Sequence, residues 1–214
     1  MFHKPAKTDI NLHAIIADRW SGVAFDSERW VERDNLNTIL EAARWCASCY
    51  GDQPWRYIVT DRNTRPDDWN SAFECLLPAN QKWAIHAPVL ILACCKNVFQ
   101  NTGEPNLWAK YDTGAASISM VYQATALGLM VCQIGGFDSN RARTSFAIPN
   151  EFTPLTYIAV GYQLPEEKIP DELMSREYAI RQRMPLQKIV FEGRWDRAFN
   201  QQDDAWDLDL ISAE

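Results

Sequence analysis

The sequence has no apolar run long enough to cross a bilayer. Its longest, PVLILACC from Pro88 to Cys95, falls far short of the roughly 20 residues a spanning helix needs. The first residues, MFHKPAKTDI, lack the apolar core of a secretory signal. Positive charge is also scarce. Lysines and arginines number 21 against 28 aspartates and glutamates, for a formal net charge of −7. Such a chain repels phosphodiester backbones and anionic lipid, so neither nucleic acid nor a membrane is expected as a partner. The three histidines, His3, His13 and His86, are scattered, and no metal site is expected from them. GxxxxGKS/T, GxGxxG and GxSxG are all missing, which removes the phosphate loop, the dinucleotide fingerprint and the hydrolase elbow.

What is present is an ordinary globular composition, 47% apolar and 23% charged, over a length that fits one medium domain. No repeat or Gly/Ser-rich linker divides residues 1–214, so one domain is expected, with a core over about residues 10–195 and an acidic tail after it. Six cysteines lie at positions 46, 49, 75, 94, 95 and 132. Three of them sit in apolar strand-like runs, where a thiol behaves as a small hydrophobe; this usage fits a reducing, cytoplasmic setting.

Periodicity predicts a first helix capped by Asp9, with Leu12, Ile15 and Ile16 on one face, ending near Arg19. A second is capped by Asp34 and carries Leu36, Ile39, Leu40 and Ala43. WRYIVTD, Trp55 to Asp61, reads as a strand, DDWNSAFECLL as a helix, and the stretch after Pro78 and Asn80 as a short turn before a strand from Val89 to Cys94. A long helix spans Tyr111 to Leu127 and stops at Gly128. MVCQI leads into Gly135 and Gly136, Asp138 or Ser139 caps another helix, LTYIAVGY is a central strand, and a helix runs from Pro170 to about Arg181. Without strict βαβ alternation the fold class is α+β.

Two groups of residues suggest a ligand. Arg19 and Ser21 lie two apart in extended chain, hence on one side of it, and Arg181 and Arg183 precede Pro185, which favours extended geometry near it. Guanidiniums beside a hydroxyl grip phosphate through charge-assisted bonds; solvated surface arginine is the other reading, and spacing alone favours it. Gly135 and Gly136 follow an apolar strand, where the missing Cβ lets backbone approach a flat ligand, or simply makes a turn. The CxxC of Cys46 and Cys49 falls at a helix C-terminus, whose dipole disfavours a thiolate, so structural thiols are expected there rather than a redox centre.

Taken together, DRWSGVAFD (Asp18 to Asp26), ASCYGDQPWRYIV (Ala47 to Val59), IGGFD (Ile134 to Asp138) and RQRMPL (Arg181 to Leu186) resemble the FMN-dependent nitroreductase family, in register over about residues 10 to 195. The resemblance implies a central mixed, mainly antiparallel sheet flanked by helices, and a homodimer whose C-terminal arm LQKIVFEGRW is swapped onto the partner. It implies FMN held by Arg19, Trp20, Ser21, Val23, Ala47, Ser48, Cys49, Gly51, Asn80, Gly135, Gly136, Arg181 and Arg183. No side chain is implied as catalytic; the Gly136 N–H would face flavin N5, and Tyr50, Trp55, Trp83 and Phe137 would wall the substrate slot. The implied reaction is ping-pong, hydride passing from NAD(P)H to a flat acceptor such as a nitroaromatic or quinone. The alternatives on the same fold are a non-enzymatic flavin binder and a specialised branch such as a reductive dehalogenase. Two positions depart from the family: Val23, where Lys or Arg is usual, and Gly51, where Asn is common.

Overall fold

Every residue from Val89 to Cys95 is buried, and a strand apolar on both sides needs cover on both. In the computed structural model, which describes residues 3–199, that strand lies inside a four-stranded sheet. The strands are β1 (Trp55–Asp61), β2 (Val89–Lys96), β3 (Met130–Ile134) and β4 (Phe152–Gly161), in the order β1-β2-β4-β3. All three pairings are antiparallel, with Ile58 opposite Leu92, Leu92 opposite Tyr157, and Ile134 opposite Tyr157. The sheet therefore sits at the antiparallel limit of the expectation.

Strand alternation divides the core in two. Leu90, Leu92, Cys94, Cys132, Tyr157 and Ala159 face a cluster with Phe25, Trp69 and Trp83. Val89, Ile91, Ala93, Val131, Ile158 and Val160 face Leu36, Ile39 and Ala43 together with Ala116, Met120 and Ala124. Each fully buried Leu or Ile contributes about 2 kcal/mol, and Ile91→Ala would cost about 2–5 kcal/mol by opening a cavity.

Seven α-helices surround the sheet among the described residues: α1 (Ala14–Asp18), α2 (Arg33–Arg44), α3 (Pro66–Glu74), α4 (Pro78–Ala84), α5 (Ala109–Ala126), α6 (Ser139–Ser145) and α7 (Asp171–Glu177). Three differ from the sequence reading. The first begins at Ala14, with the His13 ring accepting the Ile15 N–H, rather than at Asp9. Ile10, Leu12 and Ile16 are all exposed, and without a packed face a short helix is not sustained. The stretch after Pro78 is a helix, not a turn, because proline at its first position loses no hydrogen bond. The last helix stops at Glu177, before Arg181.

The expected stop after α5 is a Schellman turn. Gly128 takes φ +73°, the Gly128 N–H reaches the Thr125 carbonyl at 3.0 Å and the Leu129 N–H the Ala124 carbonyl at 2.9 Å.

The chain divides into two compact units, Met1–Ala179 and Ile180–Glu214. All the elements above belong to the first. The described part of the second contains a 3-10 turn, Leu186–Lys188, and a tight return in which Phe191 bridges Ala198 and the Phe191 and Trp195 rings lie 4.7 Å apart. The acidic tail and its Trp206 lie outside the described residues.

Candidate functional site

β3 leads into a shelf at the end of the sheet. Beyond Ile134 the chain pairs with the link between α3 and α4: Phe137 bridges Leu76, the Leu77 N–H donates to the Gly136 carbonyl at 3.0 Å, and the Asp138 N–H donates to the Cys75 carbonyl at 2.8 Å. Because α4 starts at Pro78, Asn80 falls in its first turn, and its side-chain amide donates to the same Gly136 carbonyl at 3.0 Å. Two residues 56 positions apart are thereby joined. A Cβ on Gly136 would lie 2.5 Å from the Asn80 Nδ2, whereas one on Gly135 would meet nothing. Only at the second glycine would a side chain have to move to make room. Among the described residues the Gly136 N–H has no protein acceptor. Phe137 is half-buried and meets Tyr157 edge-on at 5.2 Å.

The loop after α2 is held from below by two buried carboxyls. Asp112, in the first turn of α5, accepts the Cys49 N–H at 3.0 Å. Asp52 accepts the Gln100 N–H at 2.8 Å and the Asn106 amide at 3.0 Å, while the Gln100 amide donates to the Asp52 carbonyl. Ser48 closes the loop by accepting the Gln53 N–H at 3.0 Å. Between these anchors Tyr50, Gly51 and Gln53 all take positive φ, at 52°, 67° and 50°. Only glycine adopts that region without strain, so Gly51 has a backbone reason to stand where it does. Ala47 is exposed, Ser48 and Cys49 half-buried, and Tyr50 is 91% exposed with its ring 6.1 Å from Phe99. Trp55, at the start of β1, is buried in the core.

At the third segment the Arg19 guanidinium lies 3.4 Å from the Ser21 hydroxyl, and Lys4 lies over the Trp20 ring at 4.6 Å. Gly22 is buried; a Cβ there would collide with the Met130 sulfur. Val23 is fully buried in the core, so its side chain can offer nothing to a ligand, and a lysine there would have to bury its charge. Its backbone is engaged instead, since the N–H groups of Val23 and Ala24 both donate to Glu177 Oε1. In the second unit Arg181 is half-buried, and Arg183 is exposed and donates to the Gln182 carbonyl at 2.7 Å.

A model of the nitroreductase family matches residues 16–162, more than half of the sequence. The chain belongs to the nitroreductase family. Among solved structures it is similar to an oxidoreductase containing FMN, with a TM-score of 0.82, 31% identity and coverage of 89% of this chain and 96% of that one. It is also similar to a nitroreductase family protein of Clostridium difficile 630, with a TM-score of 0.65, 23% identity and coverage of 86% and 99%. A Staphylococcus haemolyticus protein with the provisional name NAD(P)H nitroreductase is 27% identical over 67% of this chain and 84% of its own length.

Within this nitroreductase-family chain, Trp83 is a core residue. It is 3% exposed, stacks on Phe25 at 6.1 Å and lies under Arg176 at 5.1 Å; the aromatic expected as a pocket wall packs inward. The cysteines are free. Burial pushes the Cys94 and Cys132 thiols up to about 11, which leaves them protonated and poor nucleophiles at neutral pH. No His/Cys/Asp/Glu cluster able to hold a metal occurs among the described residues. Asp112 and Glu177 carry no signal in the sequence, since a lone acid in a helix resembles a solvated one. Asp52 stands inside the GDQPW run, where spacing gives it no role.

Proposed function

We propose that this protein is an FMN-dependent oxidoreductase that passes hydride from NAD(P)H to a flat acceptor such as a nitroaromatic or quinone, by a ping-pong route, as a homodimer. The observation that carries this reading is the Asn80–Gly136 cradle. Glycine lets the Asn80 amide come within 2.5 Å of where a Cβ would stand, the Gly136 carbonyl is fixed by two donors, and its N–H has no protein acceptor among the described residues. That donor set fits the edge of a flat, hydrogen-bonding ring system. The 31%-identical FMN-containing structure and the NAD(P)H in the name of the staphylococcal relative support the cofactor and the donor.

Bound FMN would supply the hydride chemistry; the protein supplies binding, orientation and electrostatics. Arg19 and Ser21, whose side chains lie 3.4 Å apart, would bind the phosphate. Trp20, Ala47, Ser48, Cys49, Gly51 and Gly135 would flank the cofactor, while Val23 is fully buried behind them. Asn80 would bind the ring edge, with the Gly136 N–H available as a second donor beside it. Tyr50 and Phe137 orient the acceptor. Because Val23 brings no cation, the protein would supply one electrostatic stabiliser fewer to a bound flavin, which would lower its potential unless another donor substitutes.

Exposed Leu107, Trp108 and Tyr111, at 87%, 55% and 76%, form apolar surface that association would cover, in keeping with a homodimer. No helix among the described residues is long and apolar enough to cross a membrane, and the free cysteines suit a reducing compartment such as the cytoplasm.

The test is the purified protein itself. It should be yellow, release FMN identified by mass, bleach anaerobically with NADH or NADPH, and run as a dimer by light scattering. A colourless preparation that neither binds added FMN nor consumes nicotinamide refutes the reading.

A further inference from the structure

Glu177 is the last residue of α7, and none of its surface is exposed. A carboxyl-bearing side chain is almost never buried without a specific task. One of its oxygens accepts two consecutive backbone N–H groups, those of Val23 and of Ala24, the latter at 3.0 Å. The other oxygen has no partner among the described residues. The backbone it grips is the continuation of Arg19–Ser21, two residues beyond the hydroxyl proposed to bind phosphate. The same segment is held on its other side: the Leu164 N–H donates to the Ala24 carbonyl at 2.9 Å, the Asp26 N–H donates to the Tyr162 carbonyl at 2.8 Å, and Gly22 is packed against Met130. β4 and its extension thus fix the segment along one edge, and a single side chain fixes the other.

We infer that Glu177 is a positioning residue for the phosphate end of the cofactor site, holding the Val23–Ala24 backbone so that Ser21 and Arg19 are presented together. The inference rests on the FMN reading above. Glu177 touches neither cofactor nor substrate; it acts through the two amides. Its side chain is fully enclosed, so it does not itself serve as a ligand group. Its role predicts a loss confined to the phosphate, because the ring edge is held elsewhere, by Asn80 and Gly136.

The experiment compares FMN with riboflavin, which has the same ring and no phosphate. Apo-protein is titrated with each flavin, for wild type, E177A, E177D and E177Q, and thermal melts are recorded without flavin. E177D retracts the carboxyl by one methylene, and E177Q keeps an oxygen where Oε1 lies. The expected result is that E177A and E177D weaken FMN binding at least about tenfold, roughly one charge-assisted contact. Riboflavin affinity should stay within about twofold, and E177Q should restore most of the FMN affinity. Equal weakening for both flavins, or no weakening for either, overturns the inference. So does failure of both E177A and E177D to fold, which would make Glu177 a folding residue only. Wild-type protein that does not prefer FMN over riboflavin contradicts the phosphate grip itself, and this inference falls with it. Wild-type preference that survives intact in E177A refutes the Glu177 role alone.

Discussion

Replacing Gly136 with alanine should damage flavin binding far more than folding. The added Cβ would stand 2.5 Å from the Asn80 Nδ2, against the roughly 3.5 Å at which such atoms rest. Asn80 must withdraw by about 1 Å, which carries its 3.0 Å bond to the Gly136 carbonyl beyond useful length. That bond is worth about 1 kcal/mol net. Gly136 does not take a positive φ, so alanine restrains the unfolded chain and returns about 0.4–1 kcal/mol. Net stability should change by less than about 1 kcal/mol, a shift in Tm within about 2–4 °C for a chain of this size. The proposed flavin contacts of Asn80 and of the Gly136 N–H are displaced together, so the Kd for FMN should rise about 10- to 100-fold. Flavin fluorescence titration of apo-protein, with a melt of the same sample, measures both. The cycle with Asn80→Ala adds a check: once the amide is gone, G136A should cost little more, since the two changes act on one contact. An FMN affinity within twofold of wild type, or additive effects in the cycle, would refute the reasoning.

Asp52→Ala removes the acceptor of the Gln100 N–H and the Asn106 amide; about 2 kcal/mol of stability should go, with faster hydrogen exchange in residues 49–53 and 97–106. Unchanged exchange there would show that the two loops are not tied through this side chain. Cys46→Ser and Cys49→Ser should each leave FMN content and turnover within about twofold, and a loss above tenfold would restore a thiol role. Alkali should destabilise the fold through Cys132, whose thiol is raised from 9.0 to about 11 by burial. A raised folded value means this stability is whole below 9 and is lost as pH climbs toward 11, by an amount on the order of 2–3 kcal/mol. Cys132→Ala should therefore show a flatter alkaline limb in pH-dependent melts, and an unaltered limb would place the loss elsewhere.

The parts legible in the sequence are those where one pattern had one outcome. β1 runs from Trp55 to Asp61, the bounds at which WRYIVTD reads as a strand. The end of α5 needed only Gly128 in a left-handed conformation. The Asn80–Gly136 meeting could be anticipated only through resemblance, because nothing local links positions 56 apart. Pro78 misleads because proline both breaks a helix and begins one, and the residues after it decide between the two. Asp9 misleads because a capping residue cannot sustain a helix whose apolar residues Ile10, Leu12 and Ile16 stay exposed. Trp83, a pocket wall by resemblance, packs instead against Phe25. The buried acids Asp52, Asp112 and Glu177 left no sequence signal, since their purpose is set by backbone amides brought to them from afar.

Synthesis order gives the Val23–Ala24 contact one more meaning. These amides leave the ribosome before their acceptor, which is encoded more than 150 positions downstream. A nascent chain can extrude all four strands before that carboxyl exists, so the Val23–Ala24 segment must wait, tethered only by the bonds that β4 and its extension provide. A chain cut between Leu164 and Glu177 would keep all four strands and the Tyr162 and Leu164 bonds, but its Val23–Ala24 segment would have lost one of its two fastenings.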